Sequence, residues 1–494
     1  MKHKSLKLNF IMNAILTMSS MIFPLITFRY VSGILMPEGT GKVSFAVSLI
    51  SYFNMFAQLG IPTYGIRACA MVRDDREELT RTAHELLAIN LLVGLLAYAA
   101  LGLAIAFLPA LQDDKTLYLV VSSTILLSAI GMEWLYKALE QYTYITLRSI
   151  LFKLLALAAM FLLIHKKSDY VIYGGISVFA SSAAGIVNLL HARKYIGFRP
   201  VGGYHLGRHM KAVLVFFAMS CATTVYTNLD TVMLGVMTTK TDVGYYDAAV
   251  KVKNILVSVV TSLGTVLLPR ASYYVEMHME AEFRRISAKA LNFAVLAALP
   301  LMVFFMIYAR PSIAFLTGGT AYDPAALPMQ VIMPTLLLIG ITNILGIQIL
   351  VPLGREKTVL ISEIAGAVTD LVLNAILIPG LAATGAAIGT LAAEAVVLAV
   401  QYAALRQEIR PAVRAIPFGK ILLAAAAAAV AGGWIGILGL GSFLTLLLAA
   451  AVFFGVYGGV LLATKEPLAR EIVDAVLCVG GTGRRTPLCP CGTG

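Results

Sequence analysis

The stretch SCATTVYTNLDTVMLG, Ser220 to Gly235, sets a carboxylate at the end of an apolar run. Ser220, Thr223 or Thr224, Thr227 and Asp230 fall three or four residues apart, the spacing that stacks side chains on one helix face. Asn13, Thr17, Ser20 and Thr27 repeat the pattern near the amino terminus. A polar stripe turned toward hydrocarbon costs several kcal/mol, so both faces are expected to look into protein or water. Their chemistry is hydrogen bonding, ion pairing and the holding of a proton or a small cation.

Charges at comparable depth extend the set. Arg29 lies near the end of the first apolar run, and Asp230 is two residues from its repeat-equivalent position. Lys153 is about eleven residues into its helix, roughly 16 Å from the start, farther than a lysine reaches comfortably to water. Arg67 and Arg270 stand at helix ends, where contact with lipid headgroups is an equal alternative to a substrate role. Arg29, Lys153, Asp230, Arg67 and Arg270 are therefore the candidates for lining a cavity. Asp230, Asp370 and Glu394 are the candidates for coupling to H+ or Na+, and an internal ion pair accounts for each equally well. Glu133 and Lys137, four apart, read as a helix pair, and Lys251 and Lys253 as interfacial lysines.

The elements that position these groups are membrane helices. With 59% hydrophobic and 13% charged residues, the 494-residue chain has too little polar surface to clothe a soluble body of its size. About 20 apolar residues cross a bilayer. About fourteen such runs are expected, at 8–30, 43–66, 84–108, 116–138, 143–164, 170–192, 210–236, 244–268, 287–308, 328–353, 358–379, 384–405, 417–439 and 442–463. Lys and Arg then gather in alternate loops, around Lys2–Lys7, Arg67–Arg81, Arg193–Lys211, Arg270–Lys289, Arg355–Lys357 and Arg406–Lys420. That bias puts both termini in the cytoplasm and the chain in the cytoplasmic membrane. Basic loops facing anionic membrane lipids account for the net charge of +12, which needs no nucleic acid.

The chain also repeats itself. Gly41 and Gly244 open two spans, Arg67 and Arg270 close them, and each pair is separated by 203 residues. The run from Ala138 aligns without gaps on the run from Pro352. The expected fold is an all-α polytopic membrane protein: two parallel six-helix bundles, 1–200 and 201–408, around a central cavity. Two added helices follow at 409–466, then a cytoplasmic tail at 467–494. Of the five cysteines, Cys478, Cys489 and Cys491 lie in that tail; two soft ligands in CPC make a weak metal site, and no metal is expected. No GxxxxGK[ST] run, nucleophile triad or metal cluster is present, so no cofactor and no catalytic residue is assigned.

NLDTVMLG, VGYYDAAVKV, LLPRAS and LNAILIPGLAATGAAIGTLAAE resemble the oligosaccharide flippases of the polysaccharide transporter family. That family belongs to the superfamily of multidrug and toxin extruders and lipid II flippases. The resemblance runs from about 8 to 464 and implies a transporter rather than an enzyme. Its implied cargo is undecaprenyl-diphosphate-linked oligosaccharide, moved to the outer leaflet by alternating access for cell-surface polysaccharide assembly. It also implies polysaccharide polymerases and glycosyltransferases as partners. Two other readings stand beside it. A cation-coupled multidrug extruder would prefer acidic and aromatic cavity walls. A membrane-embedded polymerase or ligase would present a sizeable loop carrying catalytic groups, whereas the longest outer loop expected here, 309–327, has no convergent acid and base.

Overall fold

The computed structural model describes residues 6–471, and all regular structure in that range is helical. The helices of the first half are α1 Leu6–Gln58, α2 Ile61–Met71, α3 Arg76–Phe107, α4 Lys115–Gly131, α5 Glu133–Ala138, α6 Tyr142–Leu163, α7 Tyr170–Ser182 and α8 Ala184–Ala192. There follow α9 Gly207–Met237, α10 Lys240–Glu276, α11 Glu280–Ile307, α12 Ala309–Thr317, α13 Ala326–Ile332, α14 Thr335–Asn343, α15 Glu356–Ala415, α16 Phe418–Gly433 and α17 Ser442–Ala463. Among the described residues, ten helices are long and apolar enough to cross a membrane, or eleven if the bent pair Gly207–Cys221 and Thr223–Met237 is one span. The tail cysteines Cys478, Cys489 and Cys491 lie outside the described residues.

Two helices are too long for one crossing and are broken inside. In α1 the break is Met36, at φ 63° immediately before Pro37. A residue preceding proline is pushed out of the helical region, so this sequence turns the chain where one span should end and the next begin. In α15 the break is Ala382, at φ 47°, three residues after Pro379. Both are non-glycine residues at positive φ, a conformation that costs of order 1–3 kcal/mol and persists where surrounding packing demands it. A 60-residue α15 is therefore two arms folded back on each other, with Gly385 close to the Leu377 carbonyl.

The chain forms two compact units, each discontinuous in sequence. The first runs up to Lys251 and adds Leu316–Pro328 and Asp370–Gly389; the second comprises Val252–Phe315, Met329–Thr369 and the chain from Thr390 onward. The first unit is packed around Ile61, Leu86, Trp134 and Leu135, with a satellite cluster of Val31, Leu35, Ala156 and Met160. The second centres on Phe304, Tyr308, Phe453 and Tyr457, with Ala424, Ala425, Ala428 and Ala449 letting α16 and α17 approach α11. Its tyrosines keep their hydroxyls satisfied: Tyr457 donates to the Leu296 carbonyl at 2.8 Å and Tyr308 to Gly432. Outward surfaces reverse the pattern of a soluble protein, with Leu95 67% and Val430 81% exposed, as expected where the solvent is lipid.

Candidate ion and substrate site

The stripe on α9 ends in a buried carboxylate. Asp230 is 8% exposed and accepts hydrogen bonds from the Tyr246 hydroxyl and, at 2.7 Å, from Asn374 Nδ2. α9 supplies the acid, α10 the phenol and the first arm of α15 the amide. Four residues before Asn374, on the same face of that arm, stands Asp370, 3% exposed. Gly389, on the second arm, faces both: an added Cβ would overlap Asn374 Oδ1 and lie 3.0 Å from Asp370 Oδ1. The break at Ala382 is what turns Gly389 onto Asp370 and Asn374. Two carboxylates, an amide and a phenol grouped in this way form an oxygen-rich niche. Such a niche can share a proton between acids or hold a small hard cation. Among the described residues no group of three or more His, Cys, Asp or Glu side chains is arranged to hold a metal.

Hydroxyls along the stripes follow the requirement that membrane-embedded polar groups be satisfied locally. Thr227 Oγ1 donates to the Thr223 carbonyl at 2.9 Å, and Thr223 to Met219. On α1, Thr17 bonds Asn13 and Thr27 bonds Phe23, both at 3.0 Å. Lys153 reaches the same helix, donating to Ser19 Oγ at 2.9 Å and Ser20 Oγ at 2.8 Å.

Arg29 is exposed and lies beside the turn after α12, where a Cβ on Gly318 would come within 3.8 Å of its guanidinium. The neighbouring Ser32 hydroxyl donates to the Thr317 carbonyl at 3.0 Å, and Thr40 pairs with the Tyr322 hydroxyl at 2.7 Å. The loop expected at 309–327 thus has its Leu316–Pro328 part folded into the first unit, with Tyr322 1% exposed between Phe28 and Tyr245. Lys251 is paired with Asp247 and sits 4.5 Å above the Phe28 ring, so it is held more firmly than an interfacial lysine. Arg67 and Arg270 are exposed on α2 and α10, and Glu394 is buried in the second unit at 5% exposure.

Gly41 and Gly244, matched in sequence by the 203-residue repeat, meet in space. A Cβ on Gly41 would overlap the Lys240 carbonyl, and one on Gly244 would overlap the Pro37 carbonyl, so only glycine permits this backbone contact. Lys240, the first residue of α10 and ahead of the span expected at 244–268, donates to the Gly235 carbonyl at 2.6 Å and covers the Phe45 ring. Burial pushes its ammonium down to about 8, against the pull of Asp114 and with the help of Lys42.

Several polar groups here escape a reading of the sequence. Glu85 is 1% exposed and gathers the His205 amide at 2.6 Å, Arg208 Nη2 at 2.7 Å and His209 Nε2 at 2.7 Å. Arg148 is 9% exposed between Asn188 and Glu133, and it joins the Glu133–Lys137 pair, whose separation is 2.9 Å. The signal for Asn374 is its position four residues after Asp370; nothing comparable marks Tyr246.

Comparison with known proteins follows the same lines. The family described as "Polysaccharide biosynthesis protein" matches residues 6–275, and the MatE family matches 216–376. A protein of Escherichia coli (strain K12) described as an O-antigen transporter is 24% identical over 400 residues, 80% of this chain and 95% of that protein. One from Shigella dysenteriae, described in the same words, is 23% identical over 355 residues, 71% of this chain and 87% of its own. Among solved structures, the lipid II flippase MurJ in an inward closed conformation matches with a TM-score of 0.71 and 16% identity, over 94% of this chain and all of that one.

Proposed function

This chain belongs to the polysaccharide biosynthesis protein family as a membrane transporter, and from that premise we propose that it flips undecaprenyl-diphosphate-linked oligosaccharide across the cytoplasmic membrane. The observation that carries the reading is the buried niche of Asp230, Tyr246, Asn374 and Asp370 in a chain whose relatives are described as O-antigen transporters. A diphosphate with several sugars cannot enter hydrocarbon unaided. Cationic side chains such as Arg29 and Lys153 offer it the contacts it loses with water, arginine through a planar fork. The prenyl tail remains in lipid.

Fourteen spans fit this reading: α1 and α15 each count as two across their breaks, and α10 adds a span alongside the bent α9. Both termini are then cytoplasmic, and bundles 1–200 and 201–408 rock about the cargo. Contact of Gly41 with Gly244 closes one end of that motion. Asp230 and Asp370 couple it to H+ or Na+ by exchanging a proton or a cation, with Glu394 as a further acidic group. Polysaccharide polymerases and glycosyltransferases act on the same material before and after it.

The test is transport of fluorescent polyprenyl-diphosphate oligosaccharide in proteoliposomes, under imposed H+ or Na+ gradients. Gradient-dependent flipping that falls in Arg29→Ala, with insertion intact, supports the proposal. The MatE match spans Asp230, Asp370 and Asn374 and favours a second reading, a cation-coupled extruder. Uptake of organic cations with no movement of the lipid-linked sugar decides for it.

A further inference from the structure

A second polar chamber lies in the first unit, away from Asp230. It has a volume of about 220 Å³ and is lined by parts of α1, α2 and α4 to α8, including Asn54, Gln58, Trp134, Lys137 and Arg148. Its floor depends on Gly131 and Gly185, whose backbones approach so closely that a Cβ on either would lie about 3.0–3.1 Å from the other's Cα.

Two features of this chamber call for a ligand of negative charge. The first is its charge: Arg148 and Lys137 both pair with Glu133, at 3.4 and 2.9 Å, so two cations share one carboxylate. A buried guanidinium without a full counter-charge is costly. The second is its donors. Arg148 Nε, Gln58 Nε2 and Trp134 Nε1 are buried and make no hydrogen bond within the protein. Arg148, Gln58 and Trp134 are 9%, 7% and 3% exposed. The Gln58 oxygen is already taken by Asn90 Nδ2 at 3.4 Å, which leaves its NH2 group as the free end. Each donor left unpaired costs about 1–3 kcal/mol, and an anion in the chamber that these residues line would supply both an acceptor and the missing counter-charge.

We propose that this chamber is an anion site taking one small, singly charged anion, a halide or the carboxylate of an acidic sugar. The inference stands on the chamber alone and does not require the flipping reading.

Trp134 makes it directly measurable, because the chain has only two tryptophans. In full-length protein carrying Trp434→Phe, iodide is titrated at an ionic strength held with sulfate, and Trp134 fluorescence is followed. Saturable quenching is expected, with the half-saturating iodide rising at least tenfold in Lys137→Gln and saturation lost in Arg148→Gln. Lys137 is half-exposed, so its variant keeps the test alive if Arg148→Gln fails to fold. Displacement of iodide by chloride but not by glucuronate identifies a free halide as the occupant; displacement by glucuronate identifies a sugar carboxylate. Quenching that rises linearly without saturation, or that is unchanged in Lys137→Gln, overturns the proposal.

Discussion

The two units solve the problem of burial in different ways. In the second, the centre is oil: Phe304 meets Phe453 edge to face at 5.5 Å, and Ile421, Ala424 and Leu461 fill the space around them. In the first, the same burial is given to Glu85, Asn90, Arg148, Asn188, Asp230 and Asn374, each held by partners from other helices. Apolar packing is tolerant and adds stability without direction, whereas a buried charge is stable only in the geometry that satisfies it. The second unit buries Glu394 and Glu466 as well, but the larger set of buried ionic groups lies in the first, and that is where to look first for coupling chemistry.

The sharpest way to break that comparison is Asp230→Asn. The amide keeps the shape and still accepts from one neighbour, but it removes the charge that receives Tyr246 and Asn374. Hydrogen bonds to a charged group are worth about 1.5–3 kcal/mol, so transport in proteoliposomes should fall roughly ten- to a hundredfold. The yield of folded protein should be unchanged. Wild-type rates in this variant would show that the niche is structural.

Next in size is a matched pair of stability mutants. Glu85→Gln removes the buried carboxylate that receives the His205 amide and His209, while Arg208 keeps Glu78 at 2.7 Å, and should cost about 1.5–3 kcal/mol; Phe453→Ala opens a cavity beside Phe304 and should cost about 3–5 kcal/mol. The units differ in what restores the loss. Arg208→Gln and Glu85→Gln together should cost less than the two single changes summed, because the contact between them is lost only once, while no polar change should rescue Phe453→Ala. Denaturation followed in detergent, with the double mutant included, distinguishes the two.

What the sequence makes legible follows the same division. Asp230 stands out because a carboxylate in an apolar run has few explanations, and the 203-residue spacing marks Gly41 and Gly244 before the backbones are seen to touch. Asn374 and Tyr246 are of types that occur in any helix, and Asn374 meets Asp230 across 144 positions, a distance no local pattern reports. Glu85 sits in VRDDREELTRTAHELL, whose charge density reads as a solvated amphipathic segment. In fact Asp75 caps α3, accepting from the Glu77 and Glu78 amides, and the helix continues unbroken through Glu85 to Phe107. Long apolar runs announce the spans themselves, while the breaks at Met36 and Ala382 decide how two of the longest helices divide.

A smaller effect probes the polar unit through pH. Lys240 has an ordinary value of 10.5 and is pushed to about 8 by burial. Between those values the unfolded chain holds a proton that the folded chain has released, so this lysine makes stability rise with pH across the window. Below about 8 the folded protein carries the full cost of the buried ammonium. Relative to Lys240→Met, which lacks the titration, wild type should therefore gain ground from pH 7 to pH 10, read as the difference in Tm. A constant difference would show that Lys240 is not held by burial.

The smallest expected effect lies on the surface of the apolar unit. Lys289 makes two contacts with Glu471, at 2.8 and 2.9 Å, yet the side chains are 50% and 60% exposed. Water and salt screen such a pair, and holding two long side chains together costs entropy, so its worth is about 0–1 kcal/mol. Lys289→Ala should leave Tm within experimental error and insensitive to added salt. The contact distances of this pair match those around Glu85, but Glu85 is buried and gathers three partners where Glu471 has one. A loss in Lys289→Ala approaching that of Glu85→Gln would mean that contact distance, not desolvation, governs these ion pairs, and the contrast between the two units would no longer hold.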